Sequence, residues 1–113
     1  MELDTLYNTF TASKQEAVRL DAALQALSLE TDPVRLEGYA RYLRRRLRPA
    51  VEALVSADDT EGLSRLAALG WLDGGTVDAG AALARRTGKS AALVWLLRWK
   101  GEHDAYRDRD LSL

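Results

Sequence analysis

The sequence predicts an all-α fold: a small domain of six to seven short helices whose C-terminal half is a stack of helical hairpins. Three observations carry this. Apolar residues recur at three- and four-residue spacing, and no segment alternates with period two over a strand's length. Valine and threonine are sparse and isoleucine is absent, which removes the side chains that favour strands. Helix start and stop signals punctuate the chain at short intervals.

Taken in order, Leu3, Leu6, Tyr7 and Phe10 mark one face of a first helix. Ser13 to Glu16 reads as a capping box opening a second helix, with Ala17, Leu20, Leu24 and Leu27 as its stripe. Asp32-Pro33 starts a third, with Leu36, Ala40, Leu43 and Leu47 as core positions and Tyr39 beside them. Pro49 is expected to end that helix and begin the next, Ala50 to Ala57. Asp58-Asp59 caps a helix carrying Leu63, Leu66 and Leu69, which stops at Gly70. Asp73 to Thr76 reads as a turn. A helix then runs through Ala81, Leu83 and Ala84 to Gly88, and Ser90 is expected to cap a last one ending near Lys100, with Gly101 beyond.

At 113 residues the chain is one domain, here residues 1–101, followed by a charged tail over 102–113. The apolar fraction of 47%, charged fraction of 29% and formal net charge of −1 are ordinary, so no global field favours nucleic acid or membrane. Without cysteine there is no disulfide framework, which fits a reducing cytoplasm. The acidic start lacks a signal-peptide core. The apolar run Leu93 to Leu97 is far short of the roughly 20 residues that span a bilayer. The expectation is a soluble cytoplasmic protein, monomeric or weakly dimeric, with no membrane contact.

A weak repeat near thirty residues aligns Asp59 to Leu66 with Lys89 to Leu96. At Leu83-Ala84-Arg85-Arg86-Thr87-Gly88-Lys89, followed by Leu93, Leu96 and Leu97, the chain resembles an ankyrin repeat, and Asp59 to Gly70 resembles a second, degenerate copy. The family's Thr-Pro-Leu-His stretch is replaced here by Ala79-Gly80-Ala81-Ala82. The resemblance implies two ankyrin-like helix pairs over residues 49–101, with 1–48 as capping helices, and a protein-binding surface.

Four motifs have plain accounts that outweigh their chemistry. Thr87-Gly88-Lys89-Ser90 looks like the end of a phosphate-binding loop, but Leu83 stands where its first glycine belongs and a helix precedes it. His103 is the sole histidine, and one histidine with no cysteine falls short of the usual three or four zinc ligands; no nucleophile elbow accompanies it. Asp108 and Asp110 lack the glycine and closing glutamate of a calcium loop. Asp58, Asp59 and Glu61 read as caps before they read as a carboxylate site. No catalytic residue, cofactor or metal is expected.

Two surfaces remain. Arg41, Arg44, Arg45 and Arg48 fall within about a 100° arc of a continuous helix, opposite its apolar stripe. The plainest account is a solvated face neutralised by Glu37 and Glu52. The functional accounts are an acidic protein partner and, after it, nucleic acid. In the last helix Trp95, Trp99 and their apolar neighbours cover an arc of roughly 200°, so the helix needs cover on two sides. The preceding hairpin supplies one. The chain's own tail, through Tyr106, Leu111 and Leu113, is the favoured second cover, with a partner protein as the alternative. The reading is a non-catalytic protein-binding module, an adaptor or inhibitor, with Arg41, Arg44, Arg45, Arg48, Trp95, Trp99 and Tyr106 as candidate contacts. The alternative is a nucleic-acid-binding domain using the Arg41–Arg48 stripe.

Overall fold

The computed structural model describes the backbone of residues 3–111 and the side chains of residues 3–103, and these form seven helices and no strand. An N-terminal layer holds α1 (Leu3–Ala12), α2 (Glu16–Leu29) and α3 (Pro33–Arg44). Two helix pairs follow: α4 (Leu47–Ser56) with α5 (Thr60–Ala68), then α6 (Gly74–Thr87) with α7 (Ser90–Leu111). The pairs stack, α4 against α6 and α5 against α7, while α2 packs on α1 and α3 and reaches α4 and α5. The all-α expectation is met.

Local chemistry accounts for most boundaries. Asp32, Asp59 and Asp73 each accept a backbone N–H in the first turn of the helix they precede, from Val34, Gly62 and Thr76 respectively. Asp73 to Thr76 is therefore the start of α6 and not a separate turn. Gly70 and Gly88 end α5 and α6 at φ 87° and 69°, the left-handed region that glycine enters without strain.

Other boundaries differ from the sequence reading. Pro49 does not end α3. It sits in the first turn of α4, and the break falls at Arg45 and Arg46. A helical proline supplies no N–H to the carbonyl four residues back, and its ring clashes there. That carbonyl is Arg45's, so the chain breaks where its donor is lost. The Ser13–Glu16 capping box is not formed either. Ser13 accepts the Gln15 amide, but the Glu16 carboxylate turns outward to Tyr42 and Arg46. Ser90 opens α7 without capping it, and Asp58 of the preceding pair takes that role. Gly101 does not stop α7, which continues through Leu111.

The core runs through both layers. Tyr39, Leu43, Val51, Val55, Leu63, Leu66, Val77 and Leu96 are fully buried. The fully buried face of α2 is Ala22, Ala23 and Ala26, with Leu20, Leu24 and Leu27 only partly covered at its flanks. Small side chains let α2 lie close to several neighbours at once. Between α1 and α3 the rings of Phe10, Tyr39 and Tyr42 pack with centroids 4.8 and 5.0 Å from Phe10, in tilted and edge-on geometry. Gly80 of α6 crosses α4 so closely that a Cβ there would lie 2.7 Å from Val51 Cγ1.

Candidate interaction surface

The break at Arg45–Arg46 rearranges the arginines. Arg41 and Arg44 stand on α3, Arg45 caps its C-terminus, and Arg48 belongs to α4, so the single helical stripe does not exist. All four side chains remain exposed. Arg41 pairs with Glu37 at 2.7 Å and Arg48 with Glu52 at 3.9 Å, each on its own helix. Such exposed pairs contribute little to stability. Arg44 lies over the half-buried indole of Trp71, its Cζ 5.0 Å from the ring centroid. Among the described residues no carboxylate forms an ion pair with Arg44 or Arg45.

Arg46 turns the other way. Its Nε donates to Glu16 at 2.7 Å and its Cζ lies 4.1 Å from the Tyr42 ring centroid. Arg19 of α2 reaches the same ring at 4.8 Å while its Nε donates to the Phe10 carbonyl at 2.9 Å. The Tyr42 hydroxyl donates to Glu16 at 2.8 Å. That bond, and then the one from Arg46, hold the Glu16 carboxyl below its ordinary range. Burial, and then the Glu16 contact, push the Tyr42 hydroxyl up, so it is a neutral donor. Arg19, Arg41, Arg45 and Arg46 thus rim a shallow depression of about 470 Å³ floored by Phe10 and Tyr42. A more apolar groove of about 320 Å³, lined by Ala17, Leu20 and Pro49, adjoins it and shares Tyr42 and Arg46.

In α7, Ala92 and Leu96 are buried, and Trp95 is half-buried, its Nε1 donating to Ser64 Oγ of α5 at 2.9 Å. Trp99 stacks on His103 with centroids 3.8 Å apart, and the two border an open depression with Asp73, Asp78 and Lys100. Val94 and Leu97 are 55% and 43% exposed, so the second side of α7 stays open there. The side chains of Tyr106, Leu111 and Leu113 lie outside the described residues. The amides of Gly88 and Lys89 both donate to the Ala84 carbonyl, which leaves neither to cradle a phosphate. Among the described residues no trio of histidine or carboxylate side chains is placed to hold a metal, and no helix is long and apolar enough to cross a membrane.

The basic surface therefore holds Trp71, Arg19 and Tyr42, which the sequence reading did not single out, together with Arg46, which it set on the other flank of the stripe, and Glu16, which it read as a capping residue. A lone tryptophan after a helix-ending glycine was the one available signal, since aromatic residues in connections often make contacts. Nothing local links Arg19 to Tyr42, 23 positions on. Compared with known protein families, curated proteins and solved structures, the chain matches none.

Proposed function

We propose that this protein is a non-catalytic interaction module, an adaptor or inhibitor, that binds a partner protein through the basic face formed by Arg41, Arg44, Arg45 and Arg48 with Trp71. The observation that carries this reading is the Arg44 guanidinium on the Trp71 indole, beside an Arg45 without a carboxylate partner among the described residues. Arginine and tryptophan are enriched at binding hot spots, since tryptophan brings a large rigid contact area and arginine a planar fork of hydrogen-bond donors. A flat guanidinium held on a ring is already ordered for a carboxylate on the partner. The stacking of α4 on α6 and α5 on α7 supports an ankyrin-like architecture behind that face.

Nucleic acid is the second reading, since exposed arginines bind phosphodiesters. The kink at Arg45–Arg46 and the net charge of −1 weigh against it, because a duplex or strand rewards a continuous basic track. The test is affinity capture from lysate of the source cells with and without nuclease, over a salt series, using the protein and its Arg44→Ala and Trp71→Ala variants. Protein partners retained after nuclease and lost in both variants support the reading. Partners that vanish with nuclease would give the surface to nucleic acid.

A further inference from the structure

We infer that the depression rimmed by Arg19, Arg41, Arg45 and Arg46 binds a phosphate monoester carried on a partner peptide, with an apolar neighbour seated in the groove beside it. This rests on the reading of the protein as a module for protein partners. Charge counting comes first. Four guanidinium groups rim the site, and two carboxylates, Glu16 and Glu37, are paired to members of it. The surplus is two positive charges. A phosphate monoester carries between one and two negative charges near neutral pH, whereas a diester carries one.

Preorganisation comes second. Arg19 is fixed by the Phe10 carbonyl and the Tyr42 ring and Arg46 by Glu16 and the same ring, while Arg41 is only loosely paired with the exposed Glu37. Each of these anchors leaves further N–H donors on the guanidinium, which present the fork that matches phosphate oxygens. Arg45 is exposed with no ion pair among the described residues, and it is placed to close over a bound anion.

Shape decides between phosphate sources. The adjoining groove of Glu16, Ala17, Leu20 and Pro49 shares Tyr42 and Arg46 with the basic depression, so a ligand held by the arginines has an apolar surface next to it. A ligand that uses both has a charged group beside an apolar one, as in a phosphorylated side chain with an apolar neighbour. Arg44 and Arg48 line neither cavity, so no arginine track leads away for a polynucleotide backbone.

The test is a titration of the intact protein, read by NMR at the arginine Nε–H signals, with phenyl phosphate, inorganic phosphate, benzoate and a short oligothymidylate. The expected result is saturable shifts at Arg19, Arg41, Arg45 and Arg46, with phenyl phosphate tighter than both inorganic phosphate and benzoate. Arg45→Ala should weaken phenyl phosphate about tenfold, as the loss of one charged hydrogen bond implies. Arg41→Ala gives the same readout should the first variant not fold, and Arg86→Ala should leave binding unchanged. No saturable shift, or equal affinity in Arg45→Ala, would overturn the proposal. Benzoate or free phosphate matching phenyl phosphate would also overturn it, as would oligothymidylate binding the same arginines more tightly. Failure here with protein capture still dependent on Arg44 and Trp71 sinks the phosphate site alone. Phenyl phosphate binding without any captured protein sinks the interaction reading and leaves the pocket.

Discussion

Asp58 and Ala92 stand 34 residues apart, yet the carboxylate of the first accepts the backbone N–H of the second at 2.8 Å. The bond satisfies one of the donors that every helix start leaves unpaired, and it places negative charge at the positive end of α7. It also joins the two helix pairs, whereas Arg44 on Trp71 ties α3 to the connection between them. Asp58 holds φ 52°, a conformation that aspartate and asparagine tolerate better than alanine. Chemical denaturation should therefore rank Asp58→Asn nearest the wild type, Asp58→Gly below it and Asp58→Ala lowest, the last by about 1–2 kcal/mol. Equal midpoints for asparagine and alanine would show that the cap contributes nothing.

Two helical glycines should respond to alanine with opposite signs. A Cβ on Gly80 would meet Val51 Cγ1 at 2.7 Å and Leu96 Cδ1 at 3.4 Å, both in the core. Overpacking there costs about 1–3 kcal/mol, more than the roughly 1 kcal/mol that alanine gains in helix propensity. Gly38 in α3 has nothing within 4 Å of its Cβ position. Gly38→Ala should stabilise by about 0.5–1 kcal/mol. Thermal melts of the two variants check the contrast, and shifts in the same direction would contradict it.

The tyrosines of α3 divide similarly. Tyr39 is fully buried and its hydroxyl has no hydrogen-bond partner among the described residues, whereas Tyr42 donates to Glu16. A buried hydroxyl left unpaired is a cost that phenylalanine removes. Tyr39→Phe should be neutral or stabilising by up to about 1 kcal/mol, while Tyr42→Phe should lose about 1 kcal/mol. A destabilised Tyr39→Phe, measured by urea midpoint, would mean its hydroxyl has a partner after all.

Acid should expose the Glu16 contact. The Tyr42 hydroxyl first, and Arg46 second, hold this carboxyl below the ordinary glutamate value of 4.5. A carboxyl depressed in the fold stabilises it fully above the unfolded value, and that contribution is lost as pH falls through the folded value. The stability gap between wild type and Glu16→Gln should thus be widest near neutral pH and narrow below pH 4.5. Parallel stability curves through that range would show that the carboxylate is not specially held.

What the sequence made legible was local. Asp32, Asp59, Gly70 and Gly88 mark helix ends because a cap or a left-handed turn needs only its own few residues. Long-range partners were not legible. Asp58 reads as a neighbour's helper until α7 is brought to it, and Glu16 reads as half of a capping box until Tyr42 and Arg46 arrive. The arginine surface was half legible. Exposure of Arg41, Arg44, Arg45 and Arg48 follows from the apolar pattern, but their shared stripe assumed a helix that Pro49 breaks at the carbonyl of Arg45. Tyr42 also fell outside the expected core positions, and it is buried while Leu36 and Ala40 are only half-buried. Its ring fills the space beside Phe10, which no periodicity within one helix can report.

Whether this face meets a protein is tested most directly by photocrosslinking in living cells of the source organism. A photoreactive amino acid replaces Arg48 on the basic face in one variant and Arg86, at the far end of α6, in another. The account predicts a discrete, nuclease-resistant protein adduct from position 48 that disappears when Arg44→Ala is added, and no such adduct from position 86. Equal adducts from both positions, or an adduct at 48 that survives Arg44→Ala, would contradict it.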